Sequence, residues 1–258
     1  MPILKAELRN SGLNDVGVTP GETTNWFRFY YWGTAPVIAD DPRALEAMDL
    51  ITSHGFYSGS YGQWFGEHCS VGIDLLREKK PGLHAWVTST SWSQMDATNI
   101  KEMHGNIYSA KVNAIIPWAG IQRPPQWIGG DPNPGSAFTV HEDGSLEVRR
   151  GYYFYKQISR AGQPGMAVAR TYSISSQVVL IGFSANNTKN SDALVIVNYG
   201  RRPQKVQVTV KGTNHNSFSA FRTNAEEERY KDIGTFELTG NILKYEAPAG
   251  SVTTFFSR

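Results

Sequence analysis

Apolar positions in the first 160 or so residues switch repeatedly between helical and strand spacing, whereas beyond Gly165 they alternate with a period of two. Residues 3–10 place Ile3, Leu4 and Leu8 at helical spacing, and Ser11-Gly12 ends that helix. Residues 16–19 form a short β run closed by Pro20-Gly21. Residues 42–48 predict a helix with Pro42 in its first turn and Asp40 or Asp41 as its cap. Residues 50–53 predict a buried strand that ends at His54-Gly55, and residues 71–79 an amphipathic helix. A strand over 85–90 follows, then a helix over 97–110 with Ile100, Met103, His104, Ile107 and Tyr108 on one face. The strongly apolar run 112–118 predicts a strand, and 151–160 a last helix.

Four strands separated by helices imply βαβ units and parallel pairing. Four parallel strands are half of an eight-stranded barrel. The alternating part predicts strands over 167–172, 178–183, 193–199, 205–210, 217–223, 234–238 and 252–256, with Gly, Asn, Pro or Ser turns between them. Short strands at that spacing predict an antiparallel sandwich. The expected architecture is a partial (β/α)8 barrel over 1–162 and a β-sandwich over 163–258. No internal repeat or low-complexity segment is present.

Composition narrows the function classes. Aromatic residues make up 12%, including seven Trp and twelve Tyr, which supply flat faces for sugar C–H groups or simply fill cores. A net charge of +2 without a dense Lys/Arg run argues against a nucleic-acid partner. One cysteine, Cys69, excludes an intramolecular disulfide framework. Residues 1–8 do not read as a secretory signal, because Lys5 and Glu7 interrupt a short apolar stretch, and no segment is long and apolar enough to span a membrane.

In barrels of this kind chemistry sits where the strands end. The four ends carry Glu22, Asn25 and Trp26; Ser53-His54-Gly55-Phe56-Tyr57; Trp86 through Trp92; and Pro117-Trp118-Ala119. This is the polar and aromatic mixture a sugar pocket needs, although a strand-end His or Trp is more often structural, and Glu22 also suits a solvated loop. The Pro- and Gly-rich loop 122–138 carries Trp127, a further stacking candidate or part of a rigid connector. Glu67-His68-Cys69 makes a poor metal site, because adjacent residues rarely point at one ion. Ser89 with His54 imitates a Ser-His pair but lacks an evident Asp to orient the imidazole. Asn186-Asn187-Thr188 is a glycosylation sequon that also suits a turn.

Taken in order, ALEAMDLITSHGF, AWVTSTSW, KVNAIIPWAG, GYYFYKQISRAGQPG and the closing SVTTFFSR resemble glycoside hydrolase family 30 over essentially the whole chain. The resemblance implies barrel strands five to eight followed by the sandwich domain. It implies retaining hydrolysis of β-linked glycans, carbohydrate as the partner, no cofactor or metal, and a secreted or periplasmic location. In that family a Glu nucleophile follows Trp-x-Thr; here Trp86-Val87-Thr88 is followed by Ser89. Where the family commonly has a Tyr near the nucleophile, this chain has Phe56, with Tyr57 next to it. The family's acid/base Glu lies at the end of the fourth strand, upstream of Met1. Retaining hydrolysis uses two carboxyl groups about 5–5.5 Å apart, and a Ser hydroxyl needs a partner base to attack. The expectation is therefore Ser89 at the nucleophile position, with His54, Tyr57, Trp86, Trp118, Trp127 and Glu22 binding substrate. The chain alone is expected to be inactive and to need the N-terminal barrel half. The alternatives are a non-catalytic carbohydrate-binding protein, or an interaction half that pairs with a partner segment.

Overall fold

The computed structural model describes residues 1–56, 68–91, 95–121 and 136–258. By its contacts the chain divides into two compact units, Met1–Ser91 with Gly105–Ala119 and Trp92–His104 with Gly120–Arg258.

The first unit contains α1 (Pro2–Asn10), α2 (Trp26–Tyr31), α3 (Thr34–Asp40), α4 (Pro42–Ala47), β1 (Leu50–Ser53), α5 (Val71–Lys79) and β2 (His84–Ser91). It also takes the last residues of α6 (Ala97–Tyr108), followed by β3 (Ala114–Trp118). The sheet is parallel, in the order β1-β2-β3, with Ile51 opposite Ala85 and Val87 opposite Ile115. Ile51, Ala85 and Val87 pack in one core with Trp26, Phe29, Ile38, Ile73 and Leu76 of α2, α3 and α5. Burial at this level is what holds short helices that would be marginal alone. Asn25 caps α2, its Oδ1 accepting from the Arg28 N–H at 2.8 Å. Asp41 caps α4 at the Arg43 and Ala44 N–H groups, with Pro42 in the first turn. Gly72 sits inside α5 because a Cβ there would lie 3.0 Å from Phe29 and 3.1 Å from Ala35.

Residues 16–19 were expected to form a fourth parallel strand, and they do not. Val18 does approach Asp49: the Asp49 N–H donates to the Val18 carbonyl at 2.9 Å, and the Asp49 carboxylate accepts the Val18 N–H at 2.8 Å. Pro20 then has no N–H to continue a ladder, and Gly21 turns the chain with φ 97°. Hydroxyls take over the pairing, Thr52 Oγ1 donating to the Gly21 carbonyl at 3.0 Å and Ser53 Oγ to the Thr23 carbonyl at 3.0 Å. Helix α2 lies in an aromatic run that shows no clean helical stripe in the sequence, and the short α3 follows it.

The second unit contains the first part of α6, then β4 (Phe138–Val140), β5 (Leu146–Val148) and α7 (Arg150–Ala161). After α7 come β6 (Ala167–Ala169), β7 (Val178–Ser184), β8 (Ala193–Asn198), β9 (Gln204–Thr209), β10 (Ser217–Thr223), β11 (Lys231–Glu237), β12 (Ile242–Ala247) and β13 (Ser251–Ser257). An antiparallel six-stranded sheet runs β11-β10-β13-β8-β7-β6, and β12 pairs with β9 in a second sheet. Phe255, Ile196 and Phe218 meet Leu243 and Tyr245 between the two sheets. On the other face Gln157 of α7, fully buried, donates to Thr223 Oγ1 at 2.9 Å and accepts from Thr254 Oγ1 at 2.6 Å. Strand β13 is thus covered on both faces, Thr254 towards α7 and Thr253 towards the Tyr245 hydroxyl at 2.7 Å. The β4–β5 hairpin and β12 are additional to the strands expected from sequence.

Candidate functional site

In a parallel sheet, loops beyond the carboxyl ends of the strands carry the reactive groups. Here those ends are Ser53, Ser91 and Trp118, in neighbouring positions: Ser53 pairs with Val87, and Ser91 with Trp118. The register of β2 against β3 shifts between Val87 and Thr90, where three steps of β2 face two of β3. Thr88 and Ser89 fill that irregularity. Bulges of this kind re-aim side chains and are frequent next to active sites.

Thr88 connects the site. Its Oγ1 lies 2.7 Å from Glu22 Oε2 and 3.3 Å from the Ser53 carbonyl, and the shorter contact takes the single hydroxyl proton. Glu22 reaches β2 because the segment before α2 is pinned along β1 and its extension: Thr23 and Thr24 carbonyls accept the N–H groups of His54 and Phe56 at 2.9 and 3.0 Å. Beneath this, Asn106 donates from Nδ2 to the Gly55 carbonyl at 3.1 Å and accepts the Trp26 Nε1–H at 2.8 Å. Gly55 itself has φ 68°, and a Cβ there would sit 2.5 Å from Val87. The turn after β1 is therefore fixed by backbone, amide and packing together.

Of the residues expected to form the site, Glu22 touches Thr88, which was not among them, Ser89 follows Thr88, and Trp118 stands at the same end of the neighbouring strand. Trp118 is 53% exposed, and its peptide bond to Ala119 is cis. Ser89 is half-buried. His54 lies just past β1, its ring edge-on to Phe56 at 5.4 Å, and among the described residues no hydrogen bond joins it to Ser89. Trp86 is half-buried further down β2, opposite Thr52 and Ala114. Tyr57 and Trp127 lie outside the described residues. Sequence reasoning picked out Glu22 but not its partner Thr88, nor the clamp role of Asn106, which sits on a helix far away in the chain. Among the described residues no group of three or more His, Cys, Asp or Glu side chains is placed to hold a metal ion, and no helix is long and apolar enough to cross a membrane.

A parallel sheet flanked by helices, followed by antiparallel sheets, is a partial (β/α)8 barrel with a β-sandwich. No protein-family model and no curated protein matches the chain. Solved structures do. A glycoside hydrolase family 30 endoxylanase from Clostridium papyrosolvens C71 superimposes with a TM-score of 0.72 at 19% identity, over 100% of this chain and 60% of that one. The family 30 subfamily 8 xylanase Xyn30A from Clostridium acetobutylicum gives 0.72 at 20% identity, over 95% of this chain and 57% of that one. A Paenibacillus polymyxa xyloglucanase of family 44 gives 0.58 at 13% identity, over 90% and 52%. The chain thus has the fold of the corresponding part of these hydrolases and spans 52–60% of their length.

Proposed function

We propose that this is a glycoside hydrolase-type chain that handles β-linked glycans at the carboxyl ends of β1–β3, and that residue 89 does not supply a nucleophile. The observation that carries this reading is the Glu22–Thr88 hydrogen bond beside Ser89 in the irregular segment of β2. It leaves Glu22 Oε1 available to accept a sugar hydroxyl, while Trp118 offers a flat exposed face. A retaining hydrolase needs two carboxyl groups. Among the described residues, Glu22 is the one carboxylate tied by hydrogen bond to this end of β2. Ser89 has no hydrogen bond to His54 that would activate its hydroxyl.

Binding without turnover is therefore the second reading, favoured by Ser89 specifically. The similar folds belong to enzymes described as acting on xylan and xyloglucan, so these polymers head the panel. Affinity electrophoresis with xylan, xyloglucan and mixed-linkage β-glucan, run beside a reducing-sugar assay, separates the readings. Retention of at least one polymer with no product release is expected. Retention of none removes glycan handling altogether.

A further inference from the structure

Three exposed aromatic residues of the first unit, Tyr30, Tyr31 and Trp32, stand in a row at the end of α2. Trp26 and Phe29 of the same helix are fully buried and anchor it in the core. Helical spacing pairs the outer rings with residues four positions earlier. Tyr31 stacks on Phe27, with ring centroids 5.2 Å apart and planes 14° from parallel. The Arg28 guanidinium lies over the Trp32 ring, 4.8 Å from its centroid. Each ring is thus backed on one face by its own helix, yet Tyr31 is 72% and Trp32 62% exposed. Gly33, with φ 85°, ends the helix just past Trp32, its N–H donating to the Tyr30 carbonyl at 3.0 Å.

The backing of Trp32 is tied to the strand-end segment that presents Glu22. Arg28 Nη1 donates to Thr24 Oγ1 at 2.8 Å, and the Thr24 carbonyl accepts the Phe56 N–H just beyond β1. A sugar offers flat C–H faces to such rings, and a ring already held by its neighbours loses little freedom on binding. A protein partner suits them less well. Two aromatic side chains bury at most about 500 Å² together, short of the roughly 800 Å² that each side of a standard interface covers. We infer that Tyr31 and Trp32 form a second glycan-contact surface, on which a neutral sugar chain held at the strand ends continues by stacking on these two rings. The choice of a sugar as the occupant rests on the glycan reading above.

The test titrates the intact chain with xylobiose and xylohexaose by calorimetry. Xylohexaose is expected to bind about tenfold tighter than xylobiose. Trp32→Leu, which keeps an apolar side chain but no flat ring, should erase that margin, and Trp32→Phe should keep most of it. Neither should move the unfolding midpoint, since the side chain is exposed. Glu22→Gln should weaken both probes and leave the margin intact. Equal affinity for the two probes, or a margin that survives Trp32→Leu combined with Tyr31→Ala, overturns the surface. Xylohexaose binding that Trp32→Leu removes and Glu22→Gln leaves untouched supports this surface while removing the strand-end reading. Loss of both probes with Glu22→Gln, with no change in Trp32→Leu, does the reverse, and binding of neither probe removes both. Self-association in sedimentation that Trp32→Leu abolishes assigns the rings to a second copy of the chain and overturns the glycan contact.

Discussion

Strands β3 and β13 carry the same lesson from opposite sides. The sequence of β3, AIIPW, is the more apolar, yet Ile116 is 46% and Trp118 53% exposed. The sequence of β13, SVTTFFS, holds two threonines and two serines, yet Val252, Thr253, Thr254 and Phe255 are fully buried. The difference lies in neighbours. Strand β13 is central in its sheet, with α7 on one face and β12 on the other. Its hydroxyls are satisfied by Gln157 and Tyr245, so burying them costs little. Strand β3 is an edge of the three-stranded sheet, paired on one side by β2. Stability is concentrated where both faces are covered. Candidate chemistry collects where an apolar strand end is left open.

Four substitutions or conditions sharpen that contrast. The largest effect belongs to the packed turn beneath the open face. Gly55→Ala forces a Cβ to within 2.5 Å of Val87 at a φ of 68°, and urea unfolding should show a loss of about 3 kcal/mol. In the covered sandwich, Gln157→Leu removes the amide between the Thr254 and Thr223 hydroxyls and leaves them only their backbone partners, the Gln157 and Tyr153 carbonyls, and the same measurement should show about 1 kcal/mol.

Acid should act next. Hydrogen bonding to Arg222 holds the Glu228 carboxyl below its usual 4.5. Its contribution is complete above that unfolded value. As pH falls below it the unfolded chain takes up a proton that the folded one refuses, and stability is lost towards the lower folded pKa. Glu228→Gln should flatten that part of the stability–pH curve; an unchanged slope would show that the pair contributes nothing. The smallest effect on folding is expected at the open strand end. Trp118→Ala should change stability by no more than about 0.5 kcal/mol, yet weaken glycan binding about tenfold if the ring stacks on sugar. A large stability loss instead would mean that Trp118 is a packing residue after all.

Much of the frame was legible from the sequence. Strands 50–53, 85–90 and 112–118 are short runs rich in apolar and β-branched residues that alternate with helical segments, the spacing that implies parallel pairing, and the buried stripe Phe154, Gln157, Ile158 and Ala161 marks α7. The failures have physical causes. In residues 16–19 local β propensity was overridden by Pro20 and by the Asp49 carboxylate, which takes the Val18 N–H that a strand would use. Strand β12 alternates cleanly, with Leu243, Tyr245 and Ala247 inside, but Lys244, Glu246 and nearby Gly240 and Pro248 read as loop. The β4–β5 hairpin is short and half exposed, so it leaves little apolar signal. At the site, Ser89 and Glu22 stood out individually. Their connection through Thr88 did not, because a contact across 66 positions leaves no local pattern.

The central claim is that a carboxylate at the open strand end, and not residue 89, engages glycan. Its most direct measurement is paired binding and product release on neutral xylo-oligosaccharides for the unaltered chain, Glu22→Gln and Ser89→Ala. The account predicts binding without product release in the unaltered chain, affinity lowered about tenfold by Glu22→Gln, and little change with Ser89→Ala. Product release that disappears with Ser89→Ala, or affinity untouched by Glu22→Gln, would contradict it.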